Sequence, residues 1–432
     1  MKRLLPIAAL LLAISATAAE ISPETDEERE QAARFARWIP EFKAKLKAAY
    51  KVSDKTLSAI FDGAKYEYLA VRDDSRQPEF RKSFWQYYNT ALGPARVKSG
   101  RENLARNANV LSRVHAKYGA QPQVITALWG METNYGKVSG NYRLGNALAT
   151  LAFDPRRSEF FAKEAGEFAR IVEAGSIDAD ARGSWAGAFG NFQFMPSTFA
   201  RYAVDGSGDA KIDLMYNRSD SFASAANYLK QMGWNGKEKW GRPVKFDRDN
   251  RALWQYANSQ TELPVGEFAA MGLKAYDWTD LPKSSKTMAR LIAPEGQFGP
   301  AFLAYGNFRR IMRWNASTNY ALSVGLLSDA IAGGLARLEC SDECAARKPL
   351  TRDQIKELQS GLIIRGFYKG EPDGRLGAAT YDAVRAYQNA LISARSAEYA
   401  GEVEIPLYST GAEIVPDGHP GIDVYTELGL GL

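Results

Sequence analysis

The sequence predicts a mainly α-helical protein, with a large helical domain followed by a small helical one. First, apolar residues between about residues 80 and 340 recur mostly at helical spacing, as in NLARNANVLSRVHAKYG and SFASAANYLKQMGW, whereas strand-like alternation is scarce. Second, the composition changes at CSDECAARKP, which is typical of a linker. Third, 432 residues with 45% hydrophobic content can bury a sizeable core and form more than one domain.

The N-terminal stretch MKRLLPIAALLLAISATA, residues 1–18, has the pattern of a cleaved secretory signal. Lys2 and Arg3 provide a basic start, an apolar run follows, and small residues stand at 16–18. The run is short and contains Pro6, which argues against a permanent membrane span. No cysteine stands near the predicted cleavage site, which excludes lipid attachment there, and no later stretch is apolar enough to span a bilayer. We therefore expect a soluble, exported chain.

A glutamate stands in an unusual setting in ALWGMETNYG, residues 127–136. Charged helices are predicted before it, over residues 20–60. Trp129 and Leu128 lie three and four residues before Glu132, on its face of the predicted helix, and Gly136 can end that helix. A carboxyl group set against apolar side chains has a raised pKa and can donate a proton. The alternative is a solvated glutamate at a helix end.

A glycine-rich segment, GSWAGAFGNFQFMPS, follows at residues 183–197. Its glycines permit tight turns or a close approach of the backbone. Ser184, Asn191 and Gln193 offer neutral hydrogen-bonding groups among aromatic residues, a combination that suits a sugar amide or hydroxyl. The alternative is a glycine-rich packing turn.

The segment DGSGDAKIDLMYNRSD, residues 205–220, partly matches a calcium loop. Asp205, Ser207 and Asp209 stand at positions 1, 3 and 5, and the Lys211 carbonyl stands at position 7. Position 6 is alanine instead of glycine, and position 12 is tyrosine instead of glutamate. The alternative is a polar loop capped by its own aspartates.

A second helical unit follows the linker. Thr351 and Gln354 form a predicted capping box before IKELQSGLIIRGF. The turn YKGEPDGRLG and a second helix, ATYDAVRAYQNAL, come next; residues 395–415 interrupt the unit, and DGHPGIDVYTEL closes the chain. This unit contains no acid–base constellation, so its predicted role is binding.

Charge, histidine and cysteine usage exclude several function classes. The net charge of +5 is mild and no Arg/Lys block occurs, which argues against nucleic acid but suits weak attraction to an anionic polymer. His115 and His419 are far apart, which argues against a histidine-based zinc site or a Ser–His–Asp triad. In an exported chain, Cys340 and Cys344 allow a disulfide; two free thiols on one helix face are the alternative.

Five segments in fixed order resemble the lytic murein transglycosylase B family, in its soluble form, across roughly residues 30–338. They are METNYG, NALATLAFDPRR, GSWAGAFGNFQFMPS, SAANYLKQMGW and RWNASTNYA. The stretch LQSGLIIRGFYKGEPDGRLGAATYDAVRAYQ resembles a peptidoglycan-binding helical domain. The two resemblances imply a lysozyme-like catalytic domain over residues 20–338, a linker over 339–349 and a three-helix peptidoglycan-binding domain over 350–430. They also imply a periplasmic location.

The resemblance implies cleavage of the MurNAc–GlcNAc β-1,4 bond of peptidoglycan without water. Glu132 matches the single catalytic carboxylate, which acts first as general acid and then as general base. The C6 hydroxyl of muramic acid attacks C1 and gives a 1,6-anhydro ring, so no cofactor is required. Glycan strands are the implied partner; further partners, such as cell-wall synthesis proteins, are not identified.

The resemblance also implies the substrate and metal contacts. Trp314 stands where some relatives carry tyrosine, so a hydrogen bond from a phenol oxygen would be lost, and the match at Tyr87 rests on poorly marked flanking sequence. Surface salt bridging is the alternative role for the two arginines. The implied substrate-binding residues are Ser184, Gln193, Arg156, Arg157, Tyr228, Asn315, Tyr320, Trp314 and Tyr87. A structural calcium ion would use Asp205, Ser207, Asp209, Lys211 and Asp220, the last because relatives place their final acid later.

Two other functions are compatible with the sequence. A muramidase that uses water needs a second carboxylate or an ordered water, and Asp154, Asp178 and Asp180 are the nearby candidates. A non-catalytic wall-binding scaffold is the other, although a scaffold has no need of an acid among apolar side chains.

Overall fold

The computed structural model describes residues 25–76, 82–334, 337–399 and 414–430. The predicted signal sequence and most of the interrupting segment at 395–415 lie outside these residues. The described chain is mainly α-helical, as predicted. Within it, no helix reaches the length and apolarity that a bilayer crossing requires.

The helices, in chain order, are α1 (Asp26–Tyr50), α2 (Asp54–Phe61), α3 (Tyr68–Arg76), α4 (Phe84–Ala91), α5 (Pro94–Arg106), α6 (Ala108–Tyr118), α7 (Pro122–Thr133), α8 (Leu144–Phe153), α9 (Ser158–Glu173), α10 (Pro196–Tyr202), α11 (Arg218–Gln231), α12 (Arg251–Trp254), α13 (Val265–Ala270), α14 (Gly306–Trp314), α15 (Thr318–Ile331), α16 (Asp342–Ala346), α17 (Arg352–Ile364), α18 (Ala378–Tyr399) and α19 (Ile422–Glu427). The strands are β1 (Tyr142–Arg143), β2 (Arg182–Gly183), β3 (Gly241–Lys245), β4 (Leu263–Pro264), β5 (Lys274–Ala275), β6 (Met288–Ile292) and β7 (Ala301–Ala304).

The described residues fall into two compact units that interleave along the chain. The first takes its residues from Met1–Phe80, Ala91–Gly236 and Arg310–Leu335, and the second from Arg81–Thr90, Lys237–Arg309 and Ala336–Leu432. The borders between these units differ from the predicted domain boundaries at 338 and 350. Those boundaries follow from the resemblance and stay predictions.

The first unit is built around two helices that are buried on nearly every side, α7 and α15. Every residue of α7 from Val124 to Thr133 is buried, which requires a helix that is apolar all round.

At the N-terminal end of the unit, Thr25 and Glu28 form a capping box on α1, which satisfies two of the free backbone donors at the helix start. The short strands β1 and β2 pair antiparallel, with Tyr142 opposite Gly183, and hold the start of the glycine-rich segment.

The second unit contains an antiparallel sheet in the order β4-β6-β7-β3-β5, which the sequence pattern did not reveal. The strands are short, and β7 is buried along its whole length. It therefore lacks the alternation of apolar and polar residues by which a strand is recognised in a sequence. Leu253, Phe268, Leu291 and Leu303 are among the residues of the core on this sheet.

Helices α17, α18 and α19 of the second unit pack around a separate core that includes Leu358, Val384 and Tyr425. The predicted capping box of Thr351 and Gln354 is present at the start of α17. Arg385 of α18 is buried and donates to the backbone carbonyls of Trp254, at the end of α12, and Ala257, so α18 is joined to the α12 segment by hydrogen bonds.

Cys340 and Cys344 form a disulfide, with an S–S distance of 2.09 Å and a Cα–Cα distance of 5.5 Å. It closes a short loop over the start of α16, where Ser341 caps the helix by accepting from the Cys344 backbone N–H. Of the two alternatives left open by the sequence, the structure has the disulfide.

Candidate active site

Helix α7 places Glu132 on its last turn. The helix ends at Thr133 because Asn134 and Tyr135 take left-handed backbone angles, with φ of 49° and 62°, and Gly136 continues with φ of 80°. Asn134, and not Gly136, therefore occupies the left-handed capping position. Glu132 is only 2% exposed, so it is not a solvated glutamate at a helix end.

Glu132 receives two hydrogen bonds on one oxygen. The indole Nε1 of Trp314 donates to Oε1 at 2.9 Å, and the hydroxyl of Tyr320 donates to the same atom. Trp314 is the last residue of α14 and Tyr320 lies in the first turn of α15, so three helices converge on one carboxyl oxygen.

Burial raises the pKa of Glu132 to about 8, although the hydrogen bonds from Tyr320 and Trp314 act to lower it. The position near a helix C-terminus also disfavours the charged form, because the macrodipole is negative there. The group is therefore protonated at neutral pH. Since Oε1 accepts both hydrogen bonds, the proton belongs on Oε2, where it can be donated.

Trp314 supplies a hydrogen bond that the sequence comparison suggested would be missing. Its indole N–H donates to Glu132, while its ring packs 4.9 Å from Tyr228 and 5.6 Å from Phe194, measured between ring centroids. Tyr228 is half-buried, and burial raises its pKa to about 12; its hydroxyl donates to the Arg313 carbonyl at 3.3 Å. Tyr228 and Trp314 thus form one aromatic surface around the acid.

Gln193 carries a buried acceptor that no described residue satisfies. Its Nε2 donates to the carbonyls of Ser139 and Gly190, each at 3.1 Å, while its Oε1 is buried without a partner. Its backbone lies in the left-handed region, with φ of 48°. An unsatisfied buried acceptor costs about 1–3 kcal/mol, and strained backbone adds a similar amount, so the arrangement suits a ligand that donates a hydrogen bond.

Asn191 has a structural role that differs from its expected one. Its Oδ1 accepts from the Trp129 indole at 2.9 Å, and its Nδ2 donates to the carbonyls of Leu214 and Met215. Its own carbonyl accepts from the Thr133 hydroxyl at 2.9 Å. The amide is fully engaged and offers nothing to a sugar. Instead it fixes the loop that carries Gln193 against the helix that carries Glu132.

Ser184 and Asn315 are buried and are used in local turns. The Ser184 hydroxyl accepts from the Ala188 backbone N–H at 2.9 Å, and the Asn315 Oδ1 accepts from the Ser317 backbone N–H at 3.0 Å. Their expected contacts with substrate stay predictions.

Arg156 and Arg157 are held by acidic neighbours. Arg156 forms ion pairs with Asp154 at 3.0 Å and with Asp74 at 3.4 Å, and Arg157 pairs with Asp74 at 2.9 Å. This is the salt-bridging role that the sequence left as the alternative. Their contact with substrate stays a prediction.

Tyr87 is buried on α4 and belongs to the second unit, while Glu132 belongs to the first. Nothing in its described contacts assigns it to substrate.

The three aspartates considered as a second carboxylate for hydrolysis are either paired or exposed. Asp154 is engaged with Arg156, and Asp178 and Asp180 are exposed. The pKa of Glu132 is raised by burial and lowered by its two neutral hydrogen-bond donors.

Three aspartates of the predicted calcium loop lie together. One carboxylate oxygen from each of Asp205, Asp209 and Asp220 lies within 4.8 Å of the others. Ala210 takes φ of 67°, so the sharp turn that glycine normally makes at position 6 is made here by alanine. Hard oxygen ligands and this backbone conformation fit Ca²⁺. The Ser207 hydroxyl donates to Asp205 at 3.1 Å, and the Lys211 N–H donates to Asp209 at 2.9 Å.

Sequence reasoning named Trp129 and Asn191 but missed the contact between them. The two residues are 62 positions apart, and no spacing rule in the sequence joins them.

Comparisons with known proteins find similar domains and similar chains. Residues 34–329 match the family model of the transglycosylase SLT domain, and residues 351–391 match the model of a peptidoglycan binding domain. The chain is 34% identical over 258 residues to membrane-bound lytic murein transglycosylase B of Escherichia coli (strain K12), covering 59% of this chain and 68% of that protein.

Two solved structures are also similar. SltB3 of Pseudomonas aeruginosa, in complex with NAG-NAM-pentapeptide, is 35% identical with a TM-score of 0.80, covering 91% of this chain and 99% of that one. Slt35 of Escherichia coli, in complex with calcium, is 30% identical with a TM-score of 0.59, covering 68% of this chain and 92% of that one.

Proposed function

The chain belongs to the transglycosylase SLT family and is a lytic transglycosylase that acts on peptidoglycan, and from that premise we propose that Glu132 carries both proton transfers of its reaction. The observation that carries the proposal is the burial of Glu132, which raises its pKa to about 8 and keeps it protonated at neutral pH. A general acid must hold its proton at the working pH, and this carboxyl group does.

In the first step, the Oε2 proton of Glu132 passes to the glycosidic oxygen between MurNAc and GlcNAc, and the C1–O bond breaks. The resulting carboxylate is stabilised by the donors on Oε1, the Trp314 N–H and the Tyr320 hydroxyl. These hydrogen bonds strengthen when the charge develops, so they favour the state that follows proton transfer.

In the second step, the C6 hydroxyl of muramic acid attacks C1 and gives its proton to Glu132. The products are a free GlcNAc hydroxyl and a 1,6-anhydro ring, and the acid is regenerated without water. Hydrolytic glycosidases commonly need two carboxylates. The three nearby candidates are Asp154, which is paired with Arg156, and Asp178 and Asp180, which are exposed, and this supports the intramolecular attack over hydrolysis.

Gln193 and the aromatic surface are proposed to hold the sugars. The unsatisfied Oε1 of Gln193 accepts from a sugar N–H or hydroxyl, and the rings of Trp314 and Tyr228 give an apolar wall that excludes water from the acid. Ser184, Asn315, Arg156 and Arg157 are proposed to contact the substrate, as the resemblance implies.

We further propose that Asp205, Asp209 and Asp220 hold a structural calcium ion, with Ser207 and the Lys211 carbonyl completing the set. The close carboxylates support it, as does the calcium complex of Slt35. Bound there, the ion would draw the loop before α11 together. No step of the reaction depends on it.

We also infer export to the periplasm, supported by the signal pattern at residues 1–18 and by the wall polymer on which the enzyme acts. N-terminal sequencing of the protein from a periplasmic fraction tests it. A start just after Ala18 is expected, and an intact Met1 on a chain retained in the cytoplasm would contradict it.

The reaction itself is tested by digesting purified sacculi with the mature chain and with Glu132→Gln, and identifying the products by mass. Anhydromuropeptides from the first and none from the second are expected. Reducing-end products heavier by one water would establish a hydrolase instead. Binding without products from either protein would leave a scaffold.

A further inference from the structure

The second unit contains an aromatic cavity that the proposed reaction does not use. Its volume is about 310 Å³, at the lower end of the range for small-ligand sites. Five aromatic rings line it, together with two cationic side chains. The rings belong to Phe246, Trp254, Tyr276, Trp278 and Phe298, and the cations are Lys245 and Arg248.

Trp278 lies in the cavity wall with a strained backbone conformation. Its side chain is 57% exposed, and its backbone has φ of 68°, a conformation that bulky residues rarely adopt. The turn that imposes it is closed by the Trp278 N–H donating to the Ala275 carbonyl and the Ala275 N–H donating to the Thr279 carbonyl, each at 2.9 Å. Strain of this kind concentrates at functional sites. An exposed indole in a strained turn is therefore a feature that packing does not explain.

The polar groups of the cavity contact one another. Lys245 Nζ lies 3.1 Å from the Glu339 carboxylate and 4.4 Å from the centroid of the Tyr276 ring. The Tyr276 hydroxyl accepts from the Glu339 backbone N–H at 2.7 Å. The disulfide begins at the next residue, Cys340, and so restrains this side of the cavity. A donor and an acceptor are thus presented beside the aromatic rings.

The charges of the cavity select the kind of ligand. Lys245 already occupies the face of Tyr276, which disfavours a cationic ligand there. Arg248 is exposed, and its guanidinium has no ion pair among the described residues. It is therefore available to a carboxylate.

We propose that this cavity binds a sugar ring of the peptidoglycan glycan strand that carries a carboxylate-bearing substituent. The apolar C–H face of the ring stacks on Trp278, the Lys245–Glu339 pair hydrogen-bonds its hydroxyl or acetamido groups, and Arg248 binds the carboxylate. The inference rests on the proposed function, because it adds a second contact with the same polymer. Its consequence is that the second unit holds the strand through the cavity as well as through its helical module.

Retention on purified sacculi tests this, with every variant made in the Glu132→Gln background so that the polymer stays intact. Trp278→Asn removes the ring while keeping a residue that adopts positive φ readily. We expect about a fivefold weaker apparent Kd, the scale of one lost aromatic contact. Tyr216→Ala removes a ring that is 81% exposed outside the cavity, and it should bind like the parent. Equal retention of Trp278→Asn and Tyr216→Ala would overturn the proposal.

Arg248→Gln tests the proposed contact with the carboxylate separately from the proposed contact with the sugar ring. We expect weaker binding to native sacculi and unchanged binding to sacculi whose carboxylates have been converted to amides. Unchanged binding to both would refute the carboxylate contact. If the parent itself fails to bind sacculi, the proposed function fails as well, and that result is distinct from failure of the cavity alone.

A fluorine resonance at Trp278 reports on the cavity directly. It distinguishes binding at the cavity from retention by the rest of the chain and from misfolding of the variant. The parent is labelled with 5-fluorotryptophan, and the Trp278 resonance is identified by its absence in Trp278→Asn. Titration with soluble, peptide-free glycan fragments should shift that resonance. A resonance that stays in place while the fragments bind would overturn the proposal.

Discussion

The indole nitrogen of Trp314 lies 2.9 Å from Oε1 of Glu132, although the two residues are 182 positions apart in the chain. The tryptophan thereby does what a phenol hydroxyl would do at that place, and Tyr320 donates to the same oxygen. The carboxyl group of Glu132 is consequently held in place by two donors on Oε1, and neither of these hydrogen bonds goes to Oε2. The first three predictions follow from this arrangement.

Glu132→Gln should abolish formation of anhydromuropeptides, with a loss of at least about 100-fold, the lower range for a general acid or base. Glu164→Gln is the matched control, because Glu164 is also buried with a raised pKa but accepts from Ser197 instead of facing the site. Product analysis by mass measures both. Similar losses in the two variants would show a general effect of removing a buried carboxyl.

The stability of the wild type should fall relative to Glu132→Gln as the pH rises. The folded-state pKa of Glu132 is about 8 and the unfolded value is near 4.5, so the unfolded chain releases this proton first. The contribution of Glu132 to the free energy of unfolding is therefore largest below about pH 4.5, declines up to about pH 8 and then levels off. Urea unfolding of the two proteins across this window measures the difference, and parallel curves would contradict it.

Trp314→Phe and Tyr320→Phe should each move the alkaline limb of the pH–rate profile to higher pH. Each change removes a donor that stabilises the Glu132 carboxylate, so the acid holds its proton longer. The expected displacement is about one pH unit, the scale of a hydrogen bond to a charged group. The kcat/KM profile on soluble muropeptide chains measures it. A limb displaced to lower pH would show that these groups do not act on the carboxylate.

Asn191→Ala should destabilise the first unit by about 2–3 kcal/mol, because the Trp129 indole N–H and the Met215 carbonyl would lose their partner. Activity should fall with it, since the loop of Gln193 loses its brace. Asn389→Ala, at an exposed position of α18, is the control and should cost nothing. Equal unfolding midpoints in denaturant would refute the brace.

Added Ca²⁺ should raise the Tm of the wild type by several degrees, since a ligand that binds the native state stabilises it. Asp209→Asn should lose most of this rise, because it removes a charged ligand from the cluster. Asp178→Asn, an exposed aspartate outside the cluster, should keep the full rise. A Tm that does not respond to Ca²⁺ in the wild type would argue against the ion.

The family and the unusual setting of Glu132 were accessible to sequence reasoning because both depend on local patterns. Glu132 stands out since its neighbours at helical spacing are apolar, and spacing on one helix needs no tertiary information. The capping box of Thr351 and Gln354 was predicted for the same reason and is present.

The sheet of the second unit and the role of Asn191 were not accessible in this way. Strand β7 is buried throughout and shows no alternation, so periodicity cannot distinguish it from other apolar runs. Asn191 was interpreted as a sugar ligand from its aromatic neighbours, but its hydrogen bonds go to Trp129 and to the segment before α11.

The sequence by itself predicted the helical class and the two kinds of module, and it singled out Glu132 as the proposed acid, since each depends on contiguous stretches of residues. Only the tertiary structure decided what surrounds that acid. The pKa of Glu132 is set by burial and by two donors from α14 and α15, and the aromatic cavity is assembled from strands, turns and the disulfide loop. Desolvation and hydrogen bonding depend on which distant segments meet, and that is fixed when the chain folds.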